Sequence, residues 1–360
     1  MSTNSAFYDP LLPYEENMNQ GPFGAFADNE KYEFQDEPSH EFLGQKVYYP
    51  FGIAAGPLIN GKFVKSAFDK GFSIAVYKTV RTQKHPCHPW PNILAVNSPE
   101  KLTPEIGAEG LTVKSDYTDP LTITNSFGVP SATPEFWQED LKNCLLKIKK
   151  GQVLVGGFQG TVPHNSQNPA KDYIDDFVKA ATLTLETGVP ILEANLSCPN
   201  EGTNNLLCFD TERTTEILKN IRQSIGKTPL IIKIAYFTDN QQLSDFVEKV
   251  APYVDAISAI NTIPSKIYSD NEHTIQALPG ENRLTSGVCG TAIRWAGLEM
   301  VERLNQLRKN KNFNYKIIGV GGVTTPNDYK LYLEKGADAV MCATGAMWNP
   351  YLAQEIANSN

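Results

Sequence analysis

Cys198 is the residue whose sequence context points most directly to chemistry. It lies in the run EANLSCPN, between Asn195 and Asn200 and directly before a proline. A single cysteine is most often a core residue, but a loop that follows an apolar strand argues against that role. A thiol with a pKa near ~8.5 can act as a general base or as a nucleophile. The five histidines are scattered outside the predicted strand ends, which disfavours a Cys–His pair of the protease type.

Two lysines lie among apolar neighbours. Lys78 ends the run AVYK, and Lys233 lies inside LIIKIA. Burying an ammonium group is costly unless it has a partner. Lys78 could still extend its amine to water from a strand end, whereas for Lys233 we expect a ligand. That contact would be electrostatic, to an anionic or electron-rich group, or the amine would form a Schiff base.

Asparagines recur at the predicted ends of several segments. Asn125 lies in TNSFG and Asn261 precedes Thr262 in AINT, in addition to Asn195 and Asn200. Any one of them could be a turn residue or a helix cap. An amide both donates and accepts hydrogen bonds, so a ring of four suits a heterocycle with alternating C=O and N–H groups.

Glycine-rich runs near the C-terminus predict a phosphate site. GVGG at 319–322 and ATGA at 343–346 follow the last two predicted strands. Glycine lets backbone N–H groups approach phosphate oxygens, and barrels often bind phosphate at these two loops. For the run HPCHPWPN at 85–92 we predict no metal site, because no second ligand pair follows at zinc-like spacing.

Short apolar runs rich in β-branched residues alternate with helical stretches. Continuous apolar strands are typical of a parallel sheet buried on both faces. Eight such units predict an α/β protein with a (β/α)8 TIM barrel; an open doubly wound sheet is the alternative. Insertions are predicted after strand 2 (about 80–133) and before the strand-7 phosphate loop (about 262–290). The strands are predicted near 51–56, 74–79, 153–158, 191–196, 230–235, 256–261, 316–321 and 339–343.

The first 47 residues differ from the rest of the chain. They are acidic, rich in Tyr and Phe, and without clear periodicity. We expect residues 1–47 to be an N-terminal extension, an arm wrapped on the barrel or on a partner subunit, with a lid over the site as the second interpretation. Residues 48–360 are expected to form the barrel domain.

Composition excludes several functions. The net charge of −8 disfavours nucleic acid, because phosphate contacts need basic patches. The N-terminus has no signal-peptide pattern, and no apolar run approaches the ~20 residues of a membrane helix. Six cysteines in a chain of 360 residues are typical of free thiols in a reducing compartment, so we expect a cytoplasmic protein that does not bind membranes.

Over roughly residues 48–356 the chain resembles the dihydroorotate dehydrogenase family, in particular its soluble, cysteine-using class 1. The order and spacing of the shared motifs are specific, with NSFG and NLSCPN the sharpest pair. The motifs are AAGP (54–57), YKTV (77–80), NSFG (125–128), NLSCPN (195–200), IKI (232–234), INT (260–262), SGVCGTAIR (286–294), GVGGV (319–323) and ATGA (343–346).

This resemblance implies FMN as the cofactor and dihydroorotate as the substrate. The implied cofactor-binding residues are Ala54, Ala55, Gly56, Lys78, Thr79, Asn195, Lys233, Gly287, Gly321, Gly322, Ala343 and Thr344. The implied substrate-binding residues are Asn125, Phe127, Gly128, Val129, Asn195, Asn200, Asn261 and Thr262, with the backbone of 127–129 meeting the substrate carboxylate. Cys198 and Lys78 are the implied catalytic residues.

In the implied reaction Cys198 takes the C5 proton of dihydroorotate while hydride leaves C6 for the flavin, giving orotate. The resemblance suggests a homodimer; the electron acceptor stays open, with fumarate one candidate. Three alternatives also stay open: a dihydropyrimidine dehydrogenase-like reductase of uracil or thymine, a Schiff-base lyase using Lys233, and a non-catalytic FMN- or phosphate-binding barrel.

Overall fold

A computed structural model describes residues 6–118, 121–163, 166–197 and 206–359. The strands are β1 His40–Phe42, β2 Gln45–Val47, β3 Phe51–Ile53, β4 Ile74–Val80, β5 Val96–Asn97, β6 Leu111–Val113, β7 Thr122–Asn125, β8 Val153–Phe158, β9 Ile191–Asn195, β10 Leu230–Ile234, β11 Ala256–Ala259, β12 Ile263–Tyr268, β13 Thr285–Gly290, β14 Lys316–Val320 and β15 Ala339–Cys342. The helices are α1 Tyr14–Gln20, α2 Gly61–Asp69, α3 Pro104–Glu109, α4 Pro134–Leu145, α5 Pro169–Leu185, α6 Thr211–Ile225, α7 Asn240–Val250, α8 Arg294–Asn310, α9 Pro326–Glu334, α10 Thr344–Trp348 and α11 Leu352–Asn358.

Eight of these strands close into a barrel in the order β3-β4-β8-β9-β10-β11-β14-β15. Every neighbouring pair is parallel, so the predicted (β/α)8 barrel is confirmed and the open sheet is excluded. Branched side chains fill the barrel interior, among them Val76, Val155, Ile231 and Ile318. Because all eight strands run the same way, their carboxyl ends meet at one edge, where such barrels place their active sites.

Local sequence signals fix where the barrel helices begin. Thr325 caps α9 through a capping box with Asp328, and Pro326 occupies the first turn. Proline suits that position because its missing N–H would have no partner in the helix. α4 likewise begins at Pro134, directly after Thr133. Both helices therefore begin at a Thr-Pro pair, a signal that can be read from the sequence alone.

The two insertions combine into a second sheet of five strands, in the order β5-β6-β12-β13-β7. Three strands come from the segment after β4 and two from the segment after β11. Antiparallel pairing of β13 with β7 brings Gly287 opposite Asn125. Each insertion starts at the carboxyl end of a barrel strand, so the sheet stands at the edge where the active site is expected.

The N-terminal arm lies on the barrel. The backbone N–H of Phe7 donates to the carbonyl of Met347 at 2.9 Å, and its ring packs edge-on against Phe26 and Phe63. Farther along, the hairpin β1–β2 adds Val47 to the same apolar cluster as the barrel interior. These contacts place the start of the arm against α2 and α10, and the hairpin against the barrel interior.

Candidate active site

A cavity with an empty volume of about 1020 Å³ opens at the carboxyl ends of the barrel strands. Most of the cofactor- and substrate-binding residues expected from the sequence line it. They are Ala54, Ala55, Gly56, Lys78, Thr79, Asn125, Phe127, Val129, Asn195, Lys233, Asn261, Thr262, Ala343 and Thr344. Segments spread over the whole chain thus meet at one place, because each ends a barrel strand or follows one.

A smaller, more polar compartment adjoins this cavity. The two share six lining residues: Asn125, Phe127, Val129, Asn195, Asn261 and Thr262. The smaller compartment is completed by Gly128 and Gly287, which the sequence indicated, and by His88 and Arg283, which it did not. We call the two spaces the larger and the smaller compartment.

The amide side chains are held by a hydrogen-bond network at the tip of β9. The side-chain amides of Asn195 and the buried Gln159 lie 2.8 Å apart, and Asn195 accepts from the hydroxyl of Ser197 at 3.1 Å. Asn261 donates to the same hydroxyl oxygen at 2.7 Å. Fixed in this way, two of the predicted amides cannot rotate freely, which favours selective binding of a polar ring.

Lys233 and Glu193 form the charged floor of the larger compartment. Their side chains are 5% and 2% exposed, and no ion pair within 4.0 Å joins them. Burial lowers the pKa of Lys233 and raises that of Glu193, while each charge partly counters the shift of the other. Glu193 Oε2 has no hydrogen-bond partner in the described part of the chain. The floor therefore presents the Lys233 amine to a ligand above it.

The loop 126–129 forms the wall of the smaller compartment. Gly128 and Val129 both have positive φ, at 73° and 50°. Such a conformation is strained for a β-branched residue and is typical of functional sites. A Cβ added to Gly128 would lie 2.4 Å from His88 Nε2, so only glycine fits there.

Some predicted site residues are placed elsewhere or lie outside the described ranges. Cys198 and Asn200 fall in the segment that the structure does not describe, so their roles stay predictions. Gly321 and Gly322 follow β14 directly but line neither compartment; a Cβ on Gly322 would lie 2.7 Å from the Arg294 Cβ. Their contact with phosphate is likewise a prediction.

Sequence reasoning missed several cavity residues. Glu193 is a charged residue among apolar neighbours in β9, as Lys233 is in β10. The sequence signal that singled out Lys233 could therefore have found Glu193 as well. Tyr8 and Tyr14 of the arm line the larger compartment, although the arm has no periodicity that would indicate this. Arg283 had no local signal, because its position depends on the folding of the second insertion.

Metal-binding clusters and membrane-spanning helices are both absent from the described ranges. No cluster of three or more His, Cys, Asp or Glu residues that could hold a metal ion occurs there. Within the same ranges no helix has the length and apolar character needed to cross a membrane. Fold and cavity together define a (β/α)8-barrel enzyme with its active site at the carboxyl edge of the barrel.

Similarity to known proteins shows which family of barrel enzymes the chain belongs to. A family model for dihydroorotate dehydrogenase matches residues 39–359, so the chain belongs to that family of oxidoreductases. A dihydroorotate dehydrogenase of Dictyostelium discoideum is 33% identical in sequence, and the alignment covers 99% of this chain and 98% of the relative. A catalytic subunit of dihydroorotate dehydrogenase B (NAD(+)) from Thermodesulfovibrio yellowstonii is 30% identical over 67% of this chain and 72% of its own. The resemblance noted from the motifs is confirmed.

A solved structure shows the same fold. DHODH from Eimeria tenella, in complex with ferulenol, superposes with a TM-score of 0.69 at 17% sequence identity. The match covers 91% of this chain and 85% of that one. The barrel and much of its surroundings are therefore shared although few residues are.

Proposed function

We propose that this chain oxidises dihydroorotate to orotate in pyrimidine biosynthesis, with FMN in the larger compartment and the pyrimidine in the smaller one. The observation that carries the proposal is the pair of adjoining compartments with six shared lining residues. Because the two spaces adjoin, a planar molecule bound in one would touch a planar molecule bound in the other. Hydride transfer requires such contact between the donor carbon and the acceptor.

The larger compartment fits a flavin. Small residues from 54–56 form one wall of it, which leaves room for a flat ring. The Lys233 amine forms no ion pair within 4.0 Å in the described chain and lines this space, where it would meet an electron-rich ring edge. Ala343 and Thr344 line the end nearest the predicted phosphate loops. FMN, when bound, supplies the hydride acceptor.

The residues of the chain position the substrate and manage its protons. The amides of Asn125, Asn195 and Asn261 hold the ring, and Lys78 contributes positive charge where the larger compartment meets them. Donors of this kind stabilise charge that develops on a ring carbonyl. Cys198 is the proposed base for the C5 proton; Ser197, the residue before it, lines the smaller compartment.

Anaerobic spectroscopy tests the proposal. The purified protein should be yellow, and dihydroorotate should bleach its flavin bands. Cys198→Ser should slow flavin reduction by at least ~10²-fold at neutral pH, as expected for loss of a general base, without loss of FMN. Cys144→Ser is the matched control, because Cys144 is a free cysteine on α4 that lines neither compartment. Reduction at the wild-type rate in Cys198→Ser would remove Cys198 from the mechanism.

The alternatives give different results in the same assay. A reductase of uracil or thymine would turn over dihydrouracil rather than dihydroorotate. A lyase using Lys233 would be colourless and would be trapped as an adduct by borohydride. A non-catalytic flavin protein would stay yellow with dihydroorotate. The family match favours none of these three.

Fumarate is the first electron acceptor to test, by following flavin reoxidation after the substrate is consumed. We expect a homodimer and a cytoplasmic location. Sedimentation of the purified protein and fractionation of cells would check these two expectations.

A further inference from the structure

We infer that Arg283, supported by Arg81, is a positioning residue that makes the smaller compartment selective for a carboxylate. The two guanidinium groups donate to carbonyls of the loop 126–129, which lines that compartment together with Arg283 itself. This inference rests on the proposed function, because the carboxylate in question is the one that distinguishes orotate from uracil.

Every carbonyl of the loop accepts a hydrogen bond from outside it. Arg283 Nη2 donates to the carbonyl of Ser126 at 3.1 Å, and the backbone N–H of His88 donates to that of Phe127 at 3.0 Å. Arg81 Nη2 and Nε donate to the carbonyls of Gly128 and Val129 at 3.4 and 3.0 Å. The negative ends of these peptide dipoles are therefore all held against cations or backbone donors.

The backbone N–H groups of the same loop differ from its carbonyls in this respect. The N–H groups of Phe127, Gly128 and Val129 have no hydrogen-bond partner anywhere in the described part of the chain. In a planar trans peptide the N–H points away from the C=O, so holding the carbonyls outward turns these N–H groups away from the arginines. Successive N–H groups in a turn form a site for anions. The loop is thus a carboxylate site whose orientation depends on its outer contacts.

Arg283 also supplies charge that nothing nearby neutralises. Its side chain is buried, at 6% exposed, and no carboxylate of the described residues lies within 4.0 Å of it. Its other bonds go to neutral groups, the carbonyls of Pro89, Pro279 and Pro91 and the hydroxyl of Ser126, and its Nε has no partner in the described chain. An uncompensated buried cation attracts an anion far more strongly than an exposed one, because water screens it less.

The other titratable groups around the loop do not cancel this field. His88 lies against Gly128, and burial together with the two arginines lowers its pKa, so the imidazole is neutral at pH 7. Burial raises the pKa of Cys87 to about 12, which keeps that thiol uncharged. Lys78, in the larger compartment, adds a charge of the same sign. Two carboxylates act on these groups, Glu15 on Cys87 and Asp176 on Arg81, but neither forms an ion pair with Arg283.

The test compares an anion with its neutral analogue. Dissociation constants of orotate and of orotamide, in which the carboxylate is an uncharged amide, are measured on the flavin-loaded protein by perturbation of the flavin spectrum. Arg283→Gln should weaken orotate binding by at least ~10-fold, the effect expected for one charge lost a few ångströms away in a partly buried site. Orotamide binding should change by less than ~3-fold.

Two further variants separate charge from loop structure. Arg222→Gln is the matched control: its guanidinium also holds backbone carbonyls, of Tyr253 and Thr228, but lies beside the start of β10 at the opposite edge of the barrel. This variant should change the dissociation constant of neither orotate nor orotamide. Asn282→Asp keeps every bond of Arg283 and sets a carboxylate beside it, at an exposed position that lines the smaller compartment. This variant should weaken the binding of orotate but not of orotamide. It tests the inference even if Arg283→Gln fails to fold.

The outcomes distinguish the two proposals. Equal weakening of orotate and orotamide by Arg283→Gln, or unchanged orotate binding in Asn282→Asp, would overturn the inference, since Arg283 would then only shape the loop. If wild-type protein binds orotate but dihydroorotate never bleaches its flavin, the proposed reaction fails instead. Selective loss of orotate in both variants supports carboxylate selection by Arg283.

Discussion

The buried pair Glu193 and Lys233 gives the sharpest quantitative prediction. Both side chains enter the larger compartment, and Ile231 pairs with Glu193 while Lys233 pairs with Asn195. The two charged residues are therefore diagonal neighbours on adjacent parallel strands. Strand spacing and a two-residue offset give about 8 Å between their Cα atoms. With head groups about 6 Å apart and an effective dielectric constant of about 20, their attraction is about 3 kcal/mol.

A double-mutant cycle on the FMN-free protein isolates this attraction. For 360 residues the entropy of unfolding is about 760 cal/mol/K, so 1 kcal/mol corresponds to about 1.3 °C in Tm. Lys233→Met should therefore lower Tm by about 4 °C more in the wild-type background than in the Glu193→Gln background. The difference between backgrounds removes the desolvation of Lys233 itself, which is common to both measurements.

The pH dependence provides an independent check with a definite sign. Burial raises the pKa of Glu193 above its usual 4.5, and loss of the Lys233 charge should raise it further. The folded Lys233→Met protein then retains a proton that the unfolded chain has released, so its stability falls as pH rises above about 4.5. In Lys233→Met/Glu193→Gln this slope should disappear. A slope no steeper in Lys233→Met than in the wild-type protein would show that the Lys233 charge does not act on Glu193.

The other predictions concern the smaller compartment and the arm. Gly128→Ala should weaken orotate binding by at least ~10-fold, because a Cβ would meet His88 Nε2 at 2.4 Å and the φ of 73° is strained for alanine; unchanged affinity would contradict the loop geometry. Tyr8→Phe should raise the stability of the FMN-free protein by about 1 kcal/mol, since the Tyr8 hydroxyl is buried with no partner in the described chain and an unsatisfied group is costly. Thermal unfolding measures this, and a lower Tm would mean that the hydroxyl is bonded.

Periodicity and turn chemistry made the barrel readable from the sequence. Each of the eight barrel strands begins at the predicted residue, and their ends lie within three residues of the prediction. Short apolar runs bounded by Gly, Pro and caps are local signals, so no knowledge of distant contacts is needed. The same logic placed Lys233, Asn195 and Asn261 at one edge, because the carboxyl ends of parallel strands must meet there.

What the sequence by itself determined, then, is which residues stand at the ends of which strands, and hence most of the larger compartment. Only the tertiary structure decided how the two insertions pair into one sheet, and therefore that Arg283 reaches the loop 126–129. It also decided that Tyr8 of the arm reaches the cavity. Pairing between segments so far apart in the chain has no period of its own; it follows from packing and loop closure, which no local pattern records.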